Sequence, residues 1–210
     1  MDVGYILLVL VVILISMTLH EAMHGFVAYW LGDDTAKAQG RLTLNPIKHI
    51  DPFLTIILPL MLAAVHAPIF GGAKPVPFNP NRVKYGEWGA ALVAIAGPLT
   101  NFLIAFVAFG IVALSGLAPG SAVGNALMVT VMVNLGFFVF NMLPIPPLDG
   151  SRVIYALAPE FVRRGMEWVE QYGIILVFVV VIAASSVIGR VMSVGIEAII
   201  RLFMMIFGIS

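Results

Sequence analysis

Two imidazoles and a carboxylate fall within five residues: His20-Glu21-Ala22-Met23-His24. In a helix, residues i and i+4 stack on one face, so both imidazoles can reach one metal ion. Glu21 lies about 100° round the helix from His20, where it can touch a metal-bound water without being a ligand. That division of labour is the one metal-dependent hydrolysis needs: two ligands, and a base beside the water. The pentapeptide lies in an apolar run, where ionisable groups are costly unless they are partnered. Zn²⁺ would be an efficient partner. The competing reading is a buried His/Glu network in a transporter or at a helix contact.

The chain has no cysteine, so a metal would be held by nitrogen and oxygen. A hydrolytic zinc site wants a third protein ligand and an open fourth position. Asp149 is the best candidate. It ends the run Asn141-Met142-Leu143-Pro144-Ile145-Pro146-Pro147-Leu148-Asp149-Gly150. Three prolines in four residues cannot continue a helix. Unwound backbone near membrane depth must be covered by protein or line a water-filled cavity, which aims Asp149 inward. The alternative is that Asp149 caps a helix starting near Gly150, and sequence pattern does not separate the two roles.

The elements that must position these groups are membrane elements. Hydrophobic residues are 61% of the 210 and charged residues 10%, with a mean hydropathy of +1.06. Such a composition excludes disorder, a coiled coil and a water-soluble domain. Zero formal net charge offers no electrostatic case for nucleic acid. Four segments approach the roughly 20 apolar residues of a span: 5–31, 89–115, 125–143 and 172–188. The run 53–65 is short enough to be re-entrant. The run 191–209 carries Arg190, Glu197 and Arg201 on one helical face; it either spans with that face inward or lies flat, and Glu197 can pair with Arg201. The expected fold is therefore an all-α polytopic membrane protein of five to six hydrophobic helices. Arg41–Leu44 and Ala73–Phe78 suggest a small β-hairpin or strand region near the basic side. A single domain is expected over 1–210, with a core at 3–155 and C-terminal helices at 172–209.

Nine of the eleven basic residues lie in three loops: Lys37, Arg41, Lys48; Lys74, Arg82, Lys84; and Arg152, Arg163, Arg164. If 53–65 does not cross, all nine share one side, the cytoplasmic one, and the N-terminus lies outside. His20 is about 18 Å along its helix from Gly32. That puts the site within the bilayer, nearer the basic face, at a depth compatible with Asp149.

Taken in order, these stretches resemble the site-2 protease family of intramembrane zinc metalloproteases, peptidase family M50, in its short prokaryotic form. The matching stretches are His20–Gly25, Gly40–Pro52, Ala73–Pro80, Ala96–Asn101 and Phe140–Gly150. The resemblance implies one Zn²⁺ per chain on His20, His24 and Asp149, with Glu21 as base. It implies that Asn141 and Pro147 help hold substrate, and it places Asn101, from the motif Gly97-x-x-x-Asn101, with them. The implied partners are a transmembrane protein or peptide and the lipid bilayer, in a multi-pass cell-membrane protein. The connection 116–123 is too short for the PDZ module that many relatives insert, and no regulatory C-terminal module is apparent. Thr18, Asn134 and Asn141 offer polar side chains for water access, although Asn134 reads best as an ordinary interhelical hydrogen bond. His49 and Asp51 read as an interfacial tie rather than a gate, and His66 as interfacial. A membrane metal transporter and a proteolytically inactive scaffold are the competing functions. Segments 89–115 and 172–188 lack the acidic and histidine residues a transport path needs, and an intact Glu21 argues against an inactive scaffold. Oligomeric state is not legible.

Overall fold

A computed structural model describes residues 3–57, 72–118, 120–173 and 185–209. Among the described residues, three helices are long and apolar enough to cross a membrane: α1 (Val3–Trp30), α3 (Gly86–Leu114) and α4 (Ala122–Asn141). A short turn, α2 (Thr35–Ala38), follows α1. Beyond α4 come α5 (Asp149–Leu157), α6 (Glu160–Glu170) and α7 (Ser185–Phe207). The run expected at 53–65 opens as a helical turn over Pro52–Ile57. Its remainder, His66 and most of 172–188 lie outside the described residues.

Helix α3 is the hub, packing against α1, α4, α5 and α7. Small residues make this possible: Gly89, Ala90, Ala94, Gly97, Ala105 and Ala108 are all buried on it. Ser121 caps α4, accepting from the Gly124 N–H at 3.2 Å. Helix α7 packs along α3 and α4. Its fully buried Phe203 meets the Phe102, Phe106 and Phe109 rings at centroid distances of 5.4, 5.2 and 5.6 Å. That ring cluster decides which face of α7 turns inward. Glu197 and Arg201 do pair, at 2.5 Å, but they are exposed on the opposite side. The charged face therefore turns away from the bundle, contrary to a span with that face inward.

No strand forms among the described residues. Segments 41–44 and 72–79 are extended, but they bond to side chains and to isolated backbone groups rather than to a ladder. Arg41 Nη2 donates to the Lys74 and Pro75 carbonyls at 2.8 and 3.3 Å. Lys74 N donates to the His49 carbonyl at 2.8 Å. Pro75 and Pro77 have no N–H, so alternate ladder donors are missing. The buried His49 ring bonds the Thr43 carbonyl at 2.8 Å, and Asp51 accepts from the Phe53 N–H at 3.0 Å. Both therefore tie their own loop.

Asp33, just past α1, anchors the far end of the extended segment. It is fully buried and accepts from Asn79 N at 2.6 Å, Thr35 N at 3.1 Å and Thr35 Oγ1 at 2.5 Å. Burial pushes its carboxyl up. The Thr35 hydroxyl, the two N–H groups and the Arg82 charge outweigh that and hold it below the usual carboxylate range. A carboxylate with a depressed folded pKa stabilises the fold above its ordinary value, and the contribution disappears as pH falls through the folded value. Asp33→Asn should cost roughly 1–3 kcal/mol at neutral pH, because an amide turns donors toward donors. The difference from wild type should shrink in acid. Thermal unfolding in detergent across pH checks this; a pH-independent difference would contradict it.

Candidate metal centre

His20 and His24 project from α1 toward the middle of α3, where Gly97 makes room for them. A Cβ on Gly97 would collide with His24 Nε2 and lie 2.7 Å from His20 Cε1. The third group arrives from the far end of the chain. Helix α4 stops at Asn141, the proline-rich turn follows, with a cis Pro146–Pro147 bond, and α5 begins at Asp149. The helix foreseen near Gly150 therefore exists. Its cap position is Leu148, and no side chain caps it. The Asp149 carboxylate turns to the histidines instead: Oδ2 lies 3.2 Å from His20 Nε2 and 3.5 Å from His24 Nε2. Gly150 permits this turn, since a Cβ there would strike the Met142 carbonyl.

The protons on the two rings follow from their other neighbours. His24 Nδ1 lies 2.7 Å from the Val93 carbonyl, which can only accept. His24 therefore carries its proton on Nδ1, leaving a lone pair on Nε2. For His20 the same logic runs through two amides. Asn134 Nδ2 donates to the Thr130 carbonyl at 2.8 Å and to Ser16 Oγ at 2.9 Å, so its Oδ1 faces Asn101. Asn101 Nδ2 donates to that oxygen at 2.8 Å, turning its own Oδ1 to His20 Nδ1 at 2.6 Å. His20 is thus also protonated on Nδ1.

With both rings neutral, the two Nε2 atoms, 3.0 Å apart, present lone pairs, and both face a carboxylate oxygen. Three lone-pair donors converging in this way repel one another unless a proton or a metal ion lies between them. The spacing suits a metal ion. A tetrahedral ion with bonds near 2.0–2.2 Å would separate its ligand atoms by about 3.3–3.6 Å. Among the described residues, His20, His24 and Asp149 form the group that could hold a metal ion.

Glu21 is the neighbour, not a member, of this group. Its Oε2 accepts from Val76 N at 2.9 Å, so the extended segment lies against it. Gly25 allows that approach: a Cβ there would be 3.0 Å from Val76 Cγ1. The other residues expected at the site divide. Asn101 is fully buried, and its amide is used by His20 and Asn134, which places it behind the His20 ring. Asn141 is half-buried and donates to its own helix at Phe137 O, 3.0 Å away. Pro147 is exposed on the turn leading to Asp149. Thr18 bonds the Leu14 carbonyl at 2.7 Å.

Asn134 makes the interhelical hydrogen bonds expected of it, to Ser16 and Asn101, whereas Ser16 itself is not singled out by the sequence. The available signal was that Ser16 stands four residues before His20, on the same helix face. The Val93 and Thr130 carbonyls left no trace in sequence, since any residue supplies one. Outer hydrogen bonds to a metal-bound histidine commonly carry a 10- to 100-fold share of metal affinity. Asn134→Leu should weaken metal binding by about that factor with helical content unchanged. A competition titration with a chromophoric chelator measures it; wild-type affinity would show the relay to be idle.

Residues 8–132 and 117–185 match the pattern of Peptidase family M50. The chain is 41% identical over 206 residues to "Putative zinc metalloprotease YwhC" of Bacillus subtilis, covering 94% of this chain and 91% of that one. It is 30% identical over 185 residues to "Putative zinc metalloprotease Rip2" of Mycolicibacterium smegmatis, covering 87% and 70%. A 62-residue stretch is 44% identical to "Putative zinc metalloprotease MJ0611" of Methanocaldococcus jannaschii, covering 30% and 31%. No solved structure matches the chain. A match running across both histidines and the Asp149 turn, with a relative aligned over nearly its whole length, places the chain in peptidase family M50.

Proposed function

We propose that this chain is a zinc-dependent intramembrane endopeptidase that cuts peptide bonds in or near transmembrane segments of other proteins. The observation that carries the proposal is the convergence of His20, His24 and Asp149 lone pairs beside Glu21, on a helix apolar enough to span a bilayer. In this reading the three residues hold Zn²⁺, Val93 O and Asn101 orient the rings, and Asp149 adds negative charge. The bound metal supplies Lewis acidity, lowering the pKa of water and polarising a peptide carbonyl. Glu21 takes the proton of the attacking water on a carboxylate oxygen. It then delivers that proton to the leaving nitrogen as the C–N bond breaks. The Val76 N–H holds the Glu21 carboxylate in place for both transfers.

A helical substrate hides its carbonyls in its own hydrogen bonds, so it must unwind before attack. Asn141 and Pro147, on the unwound side of the site, are proposed to receive the opened segment. The 72–79 strip is proposed as its second wall. Most of the polar backbone at 74–76 is already bonded, so strand pairing there would require part of that network to open. The basic loops put the site nearer the cytoplasmic face of a multi-pass protein, with the N-terminus outside. A transport path would need further ligating groups along the bundle; among the described residues no second cluster of three occurs.

The test is reconstitution in vesicles with a panel of transmembrane peptides. Cleavage should occur, stop on chelation and return with added zinc. Cleavage that persists without metal would end the proposal.

A further inference from the structure

Helix α6 is amphipathic, and its polar side is the one tied to the protein. Arg163 donates to the Tyr155 and Ala156 carbonyls at 3.0 and 3.1 Å. The Tyr155 hydroxyl donates to Glu167 at 2.5 Å, and Arg152 pairs with Glu170. Residues 163, 167 and 170 share one side of the helix. The Glu167 carboxylate bonded to its hydroxyl, with burial and the Glu87 charge adding to the effect, pushes the Tyr155 phenol up to about 12. The tie is therefore made by a neutral phenol at every physiological pH.

The opposite side is aromatic and bare. Phe161, Trp168 and Tyr172 recur at helical spacing, four and seven residues apart around Gly165, and are 77%, 60% and 50% exposed. Leu157, the last residue of α5, is exposed as well. A face this apolar is costly in water, and α6 buries none of its residues in the protein.

What covers that face follows from its level. The chain has three tryptophans, Trp30, Trp88 and Trp168, and all three are exposed. Trp30 ends α1, about 9 Å beyond His24. Trp88 lies about 13 Å before Gly97 on α3, toward the same end. It heads an exposed stripe of Leu92, Leu99, Leu103, Val107 and Ile111, the apolar surface that a span presents to lipid. Helix α5 packs on α3 and brings Tyr155 under the influence of Glu87, next to Trp88. Trp168 thus belongs with the other two, where spans meet headgroups and where tryptophan and tyrosine collect.

We propose that α6 is a membrane-surface helix, with Leu157, Phe161, Trp168 and Tyr172 seated in the headgroup–acyl boundary of a phospholipid bilayer. The Glu160–Arg164 pair flanks this face, within reach of the headgroups. The polar ties run to α5, whose first residue is Asp149. The proposal rests on the reading that the chain sits in a bilayer, and its test does not use peptide cleavage.

The test uses full-length protein with Trp30→Phe and Trp88→Phe, leaving Trp168 as the only tryptophan. It is reconstituted in phosphatidylcholine/phosphatidylglycerol vesicles with and without brominated acyl chains. Brominated lipid should lower Trp168 emission about twofold or more, and aqueous acrylamide should quench it little. Adding Phe161→Glu should reverse the pattern. Quenching by acrylamide but not by brominated lipid would overturn the proposal. So would shielding from both, which would mean that protein, such as a second copy of this chain, covers the face. Flotation of the protein with the vesicles checks the bilayer reading separately, so the two failures are distinguishable.

Discussion

Glu21→Gln is expected to lower peptide cleavage by about 10³-fold while leaving the metal in place. The amide cannot take the proton from water, so both transfers assigned to Glu21 are lost together. Its carbonyl oxygen can still accept from Val76 N, which holds the wild-type carboxylate at 2.9 Å. The local structure therefore has no reason to change. Glu21 also lies outside the trio that could hold a metal ion. Metal content by elemental analysis should equal wild type, and the variant should still hold a transmembrane peptide it cannot cut. Activity within about tenfold of wild type would remove Glu21 from the chemistry.

Gly97→Ala is expected to do comparable damage by a different route. The added methyl would strike His24 Nε2 and stand 2.6 Å from His24 Cε1 and 2.7 Å from His20 Cε1. These atoms lie at or beside Nε2, the nitrogen that faces Asp149 in each ring. The backbone of α3 cannot withdraw easily, because α1, α4, α5 and α7 all pack on it. The rings must move, and the Val93 and Asn101 hydrogen bonds then misdirect them. Metal affinity should fall by about 100-fold or more, and cleavage with it. Excess zinc should restore part of the activity in Gly97→Ala and none in Glu21→Gln. Equal metal content in Gly97→Ala and wild type would mean that the contact relaxes harmlessly.

Much of this protein is written in local pattern. An i, i+4 pair of histidines shares a helix face because of helix geometry alone, whatever surrounds it. Apolar length marks α1, α3 and α4 as spans, and consecutive prolines mark the break before Asp149. These features depend on residues close in sequence, so the sequence by itself determined them. The convergence of Asp149 with histidines more than a hundred residues earlier is different in kind. A capping role and a ligating role share one pattern, and only the packing of α5 on α3 brings the Asp149 carboxylate within 3.5 Å of both imidazoles. The proton positions on both rings are decided by backbone carbonyls at Val93 and Thr130, which carry no residue-specific signal. The spacing of Arg190, Glu197 and Arg201 likewise reveals that α7 has two faces, but not which face is covered, and the stretch read as a basic loop around Arg163 and Arg164 forms the helix α6. Ties to α5 turned the polar side of α6 inward, and a cluster of phenylalanines turned the charged side of α7 outward. The expected strands gave way to extended chain because prolines removed donors while Arg41, Glu21 and Asp33 supplied competing partners. In each case the deciding partner lies on another element, and only the tertiary structure brings it near.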